Sequence, residues 1–177
     1  MKFTKEDARK RVLNCAKQYQ QNLLHKKLLI IFRERQDNSI RFIEVIFHER
    51  NYQHLTGLEL TNTEGKILQH QSKNFYRKCI ENKLGLNDVD KVMGGVNFCL
   101  GLSRENDVFI PSSALLEDIK RLTSSPSQVL AIFEKDIDSE LYSTVKHIAK
   151  GLNLHHLILP LEISSKISLE HYVYRRK

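Results

Sequence analysis

Three short stretches carry side chains whose types and spacing suit proton transfer or phosphate binding. The first is His54-x-Thr56-Gly57 in NYQHLTGLEL, which follows the apolar run IRFIEVIF and the charged link HER. On an extended backbone, positions two apart share a face, so His54 and Thr56 would meet one ligand and Gly57 would let a phosphate come close. The same spacing also describes a polar turn, with Thr56 capping it and His54 packed beside Tyr52. The second stretch is Pro111-Ser112-Ser113. Either serine can cap a helix running to about Leu122, and a helix N-terminus with spare N–H groups and hydroxyls can seat a phosphate. The third is ELYSTVKHIAKG, where an alternating strand would place Lys146 and Lys150 on one face and His147 on the other.

Histidine, hydroxyl and cationic side chains without paired carboxylates suit metal-independent phosphodiester chemistry. Cleaving RNA this way needs a base for the ribose 2′-hydroxyl, an acid for the leaving oxygen and cations for the crowded phosphorane. Histidine can serve as base or acid near neutral pH, while Lys, Arg, Ser and Thr hold the phosphate oxygens. Other classes lack their motifs: the chain has no Walker A sequence, no GxGxxG after a strand, no HExxH, no EF-hand loop and no GxSxG elbow. Gly94-Gly95 precedes a strand-like run and reads as a turn. Adjacent His155 and His156 would point to opposite faces of a strand, and Cys15, Cys79 and Cys99 sit in apolar surroundings where free cysteine packs. No metal and no cofactor is expected.

The elements that must position these residues are legible in outline. TKEDARKRVLNCAKQYQQNLL reads as a helix with a capping box from Thr4 to Asp7 and an apolar stripe of Ala8, Val12, Cys15, Tyr19 and Leu23. Lys10, Lys17 and Gln21 fall on its opposite face. KLLIIFRER and SIRFIEVIF, joined through Asp37-Asn38-Ser39, read as a β-hairpin. TNTEGK reads as a turn, and SKNFYRKCIENKL as a short helix exposing Arg77 and Lys78. VNFCLGLS and DVFI are strand candidates, as is QVLAIFEK, followed by a turn at DIDS. Tyr, Thr, Val and Ile enrichment favours a strand for ELYSTVKHIAKG, pairing back on QVLAIFEK. LHHLILP is a further apolar run, and the end is polar, aromatic and basic. The expected class is α+β: an N-terminal helix, then a mainly antiparallel sheet with inserted short helices. Residues 1–160 read as a single domain with a basic helix over 1–26, and 161–177 as a polar basic tail.

The totals support this outline. A chain of 177 residues with 41% hydrophobic residues can bury a substantial core. Three cysteines at unrelated spacings fit neither a disulfide framework nor a zinc site, and point to a reducing cytoplasm. No signal core or membrane-length apolar run is present. The net charge of +7 is uneven: residues 1–41 hold 11 Lys and Arg against 4 Asp and Glu, and the rest hold 17 against 17. A basic first helix can attract a phosphate backbone, or serve only as a solvated face.

In their order, EVIF…YQHLTGL, NFYRKCIENKL, KVMGGVNFCLGL, FIPSSALLEDI and QVLAIF resemble a phage- and mobile-element-associated group of nuclease-like domains of the BECR superfold. That superfold is named for barnase, EndoU, colicin and RelE-type ribonucleases. The resemblance runs from about Cys15 to Leu154 and is sharpest at HLTG and FYRKC. It implies an N-terminal helical part, a small antiparallel sheet and RNA cleavage without metal, in toxins or phage-delivered effectors. It carries His54 and Thr56 through HLTG and Ser113 through PSSAL. His147, Lys146 and Lys150 come from chemistry alone, with His147 as a second acid or base. Lys10, Lys17, Arg77, Lys78, Lys146 and Lys150 are the candidate RNA contacts, and a neutralising, antitoxin-like protein is the other implied partner. The alternative is a non-catalytic RNA- or protein-binding module of a phage or mobile element.

Overall fold

The structure, a computed structural model, describes residues 4–56, 99–115, 119 and 126–168. The expected TNTEGK turn, the SKNFYRKCIENKL helix with Arg77 and Lys78, the Gly94-Gly95 turn and the end of the tail from residue 169 lie outside the described residues. The architecture is the α+β class expected: a long N-terminal helix, a six-stranded, mostly antiparallel sheet and a few short helical segments.

Helix α1 spans Lys5–Asn22 and starts as the sequence demands. Thr4 Oγ1 accepts from the Asp7 backbone N–H at 3.1 Å, while the Asp7 carboxylate accepts from the Thr4 N–H at 3.0 Å. The Thr4 hydrogen bonds hold the Asp7 carboxyl below its ordinary range. The buried stripe differs from the expected one. Val12, Ala16 and Tyr19 are buried, whereas Cys15 is exposed, so this thiol is not packed as its apolar neighbours suggested. A helix advances about 100° per residue, so a stripe centred on Val12, Ala16 and Tyr19 leaves position 15 at its margin. Lys10, Lys17 and Gln21 are exposed, as the periodicity requires.

Strands β1 (Lys26–Arg33) and β2 (Ile40–Ile46) form the antiparallel hairpin, with Leu29 opposite Glu44 and Ile31 opposite Phe42. The turn is closed by Asp37 Oδ1 accepting from the Ser39 N–H at 2.9 Å, with Asn38 at φ 58°. Asparagine tolerates that left-handed conformation better than most residues. After the short helix α2 (Asn51–Thr56) come β3 (Cys99–Glu105) and β4 (Val108–Leu115). Asn106, at φ 56°, lies in their connection. β4 runs through Pro111, Ser112 and Ser113, which corrects the helix expected to begin there. Proline fixes φ but is compatible with extended backbone, so the Pro-Ser-Ser signal for a helix start was ambiguous.

Strands β5 (Gln128–Asp136) and β6 (Thr144–Ile148) pair antiparallel, so the strand reading of ELYSTVKHIAKG holds. The Ser139 N–H bonds to Asp136 O at 3.0 Å, closing the turn at DIDS. The full strand order is β3-β4-β2-β1-β5-β6. LHHLILP is not a strand: Leu154–His156 form a 3-10 turn, capped by Asn153 Oδ1 accepting from the His155 N–H at 3.0 Å.

The chain divides into two compact units. One holds α1, α2 and Ile110–Asp118; its buried residues include Val12, Ala16, Tyr19, Phe47, Tyr52 and Pro111. The other holds His25–Ile46, Arg104–Phe109 and Ile119–Lys177. Its core joins Leu29, Ile31, Leu130, Ala131, Phe133, Tyr142, Leu154, Ile163 and Ile167 on one sheet face. A bulge between Ile31 and Phe32 leaves Leu130 unpaired, which lets the consecutive Leu130 and Ala131 both enter that core. Ile163 and Ile167 fall in the segment expected to be polar tail. Both are buried: Ile163 lies in the short helical turn Leu161–Ser164, and Ile167 is bridged to Tyr142.

Candidate functional site

In the first unit, α2 is pinned by neutral hydrogen bonds. Asn51 is buried; its Oδ1 accepts from the His48 N–H at 2.9 Å, and its Nδ2 donates to Pro111 O at 2.8 Å. The Tyr52 hydroxyl donates to Val12 O at 2.5 Å and that of Tyr19 to His48 O at 2.8 Å. The Tyr19, Phe47 and Tyr52 rings pack around these bonds, with Tyr19 and Tyr52 centroids 5.2 Å apart. A buried Asn that spends both ends of its amide fixes the start of the helix to β4, and thus fixes where positions 54 and 56 lie.

This corrects the extended reading of HLTG. His54 and Thr56 lie on a helix, where positions two apart are about 200° apart around the axis and do not share a face. Thr56 Oγ1 donates to Gln53 O at 2.7 Å, so its proton satisfies its own helix end. A phosphate oxygen could recruit that hydroxyl as donor only by breaking this bond. The His54 and Ser113 side chains, like Gly57, lie outside what the structure describes. His54, Thr56 and Ser113 belong to the first unit, and Lys146, His147 and Lys150 to the second.

In the second unit, β5 carries a carboxylate that sequence reasoning passed over. Glu134 is only 4% exposed. Lys26 Nζ donates to its Oε1 at 2.9 Å, and Lys146 Nζ lies 3.1 Å from its Oε2. The second contact is an ion pair by distance, but Oε2 accepts no hydrogen bond. The hydrogen bond to Glu134 raises the Lys26 pKa, keeping that ammonium charged.

The register brings His147 to the same face. Ile132 pairs with His147 and Glu134 with Thr144, while Phe133 pairs with Val145, so Lys146 is the extra residue of a bulge. Glu134 and Ile132 alternate onto one face of β5, and their partners on β6 follow. A regular strand would have set Lys146 and His147 on opposite faces. The bulge instead turns Lys146 towards Glu134 beside His147. His147, Lys146 and Lys150 are all exposed. A carboxylate at an alternating position of the apolar run QVLAIFEK was the available signal; without a known strand partner, no lysine could be assigned to it.

The opposite sheet face carries a second carboxylate cluster. Tyr142 donates to Glu44 Oε1 at 2.8 Å, and Lys27 and Lys166 lie 3.1 and 3.5 Å from the two oxygens. Burial, and then the hydrogen bond to Glu44, push the Tyr142 phenol pKa far up. Burial would raise the Glu44 pKa too, but the hydrogen bonds from Tyr142 and Lys27 outweigh it and the net shift is downward. Among the described residues, no group of three or more His, Cys, Asp and Glu is placed to hold a metal, and no helix is long and apolar enough to cross a membrane.

Residues 11–95 match the family model described as phage-Barnase-EndoU-ColicinE5/D-RelE like nuclease 4. The resemblance read from the sequence is therefore shown over that stretch, which is 85 of the 177 residues and contains HLTG and FYRKC. Its extension through PSSAL and QVLAIF to Leu154 lies beyond the match. Over this stretch the chain is similar to a phage-related nuclease family. No curated protein and no solved structure matches.

Proposed function

We propose that the protein is an endoribonuclease that cleaves RNA by metal-independent attack of the ribose 2′-hydroxyl. The observation that carries this reading is the match of residues 11–95 to a nuclease family, with His54 inside the matched span. His54 serves as one acid or base and His147 as the second. Ser113 holds a phosphate oxygen, and Thr56 assists as a lone-pair acceptor, since its proton is used on Gln53 O. Lys146 and Lys150 offset charge in the transition state, and Lys10 and Lys17 on the exposed face of α1 draw in the backbone together with Arg77 and Lys78. RNA is the substrate partner, and a neutralising antitoxin-like protein is the natural counterpart of a toxin-like cytoplasmic effector.

The test is incubation of purified protein with mixed RNA in EDTA, beside His54→Ala and His147→Ala. EDTA-resistant products with 2′,3′-cyclic ends, reduced by about 100-fold or more in either variant, are the expected result. Cleavage indifferent to both substitutions removes these residues from the chemistry, and no cleavage of any RNA removes the activity. A second reading rests on the exposed lysines of α1. It makes the chain a non-catalytic RNA-binding module, distinguished by salt-sensitive RNA binding with no products.

A further inference from the structure

Glu134 is an unusual residue for an interior strand position. A carboxylate 4% exposed in the sheet costs desolvation, and a buried ion pair is weak evidence for stability because a well-packed apolar side chain does as well or better. Its two lysines are not buried with it: the Lys26 and Lys146 side chains are 27% and 42% exposed. The carboxylate thus lies beneath and the ammonium groups above, one on each oxygen. This holds two like charges close together at the surface, where free lysines would repel and swing apart. Each ammonium has three donors, and the contact with Glu134 occupies at most one of them. The bulge at Lys146 brings exposed His147 onto the same face, and the cluster of two cations and one anion is net positive.

We propose that this face of the β5–β6 ladder is an RNA phosphate site, with Lys26 and Lys146 as the contacting cations and Glu134 as the positioning residue that fixes their spacing. The proposal rests on the RNA reading above and goes beyond it in assigning Lys26 and Glu134. Two ammonium groups held on one carboxylate can each turn a donor to a nonbridging oxygen of a phosphodiester, with His147 on the same face. Loss of Glu134 makes the site more positive but leaves its lysines unconstrained. Simple electrostatics and positioning therefore give opposite signs for Glu134→Gln.

The probe is a mixed-sequence 2′-O-methyl RNA oligonucleotide, which binds but has no free 2′-hydroxyl to attack. Its affinity is measured in EDTA over a range of salt concentrations. Lys146→Ala is expected to weaken binding roughly three- to tenfold near 0.15 M salt and to lower the salt slope by about one contact. Glu134→Gln is expected to weaken binding despite the added charge, and Lys146→Arg to retain most of it. Unchanged affinity and slope in Lys146→Ala would overturn the site, as would absence of wild-type binding. Tighter binding by Glu134→Gln would overturn the positioning role, provided its far-UV spectrum and melting temperature show a folded protein. Parallel cleavage of unmodified RNA separates the two proposals. Cleavage with Lys146-independent binding sinks only this site, while Lys146-dependent binding without cleavage upholds it and sinks only the nuclease reading.

Discussion

Glu44 and Glu134 stand on opposite faces of the same sheet, through their pairing to adjacent residues of β1, Leu29 and Leu28. Each lies within ion-pair distance of two lysines. Their surroundings differ in one respect that matters. Glu44 also accepts from the hydroxyl of Tyr142, a residue 1% exposed, and through it ties down the segment in which Tyr142 N–H bonds to Lys166 O and Ser168 N–H to Tyr142 O. Among the described residues Glu134 has no such neutral buried partner, and one of its oxygens accepts no hydrogen bond. The first carboxylate completes a network that includes the core. The second anchors groups that otherwise face water.

The largest expected effect breaks the first network. Glu44→Ala strands a buried phenol and two lysines, and should cost about 2–4 kcal/mol in urea unfolding. A loss below about 1 kcal/mol would mean that the Glu44 cluster is no more structural than its counterpart. Tyr142→Phe removes one hydrogen bond to a charged group and should cost about 1.5 kcal/mol, with the Glu44→Ala, Tyr142→Phe double variant well short of additive. Glu134→Leu should stay within about 1 kcal/mol of the parent, since Lys26 and Lys146 can turn out to solvent once released. Its stability and its RNA affinity are expected to part company, which sharpens the contrast.

The smallest effect is in acid. The folded-state pKa of Glu44 lies below its ordinary value, so its stabilisation is present above about pH 4.3 and is lost as pH falls through the folded value. Exposed Asp37, held at about 2 by its hydrogen bonds from Ser39, then by Arg41, adds a change of the same sign. Urea midpoints should be flat from about pH 7 to pH 5 and decline below about pH 4, less steeply in Glu44→Gln. A steeper decline in that variant would reverse the assigned sign.

Much of the fold was legible because local physics and the final structure agree. The Thr4–Asp7 capping box, the Asp37-Asn38-Ser39 turn and the β-branched TVKHI strand are specified within a few residues of chain. HLTG and Pro-Ser-Ser were misread for the same reason in opposite directions. Their residue types suit turns, caps and strand ends alike, and partners distant in sequence, such as Asn51 to Pro111 O at 2.8 Å, accompany the conformation adopted. Cys15 was misplaced because an apolar stripe one position off still scores as helical.

The sequence by itself therefore determined the α+β class, the order of the main elements, the basic surplus in the first 41 residues and the nuclease-family resemblance that the match over residues 11–95 supports. Only the tertiary structure decided that a carboxylate lies under two lysines beside His147. That arrangement depends on a one-residue bulge at Lys146 and on the register of β5 against β1 and β6. A single-residue shift in pairing moves a side chain from one sheet face to the other, and no local residue pattern records which pairing a strand will find.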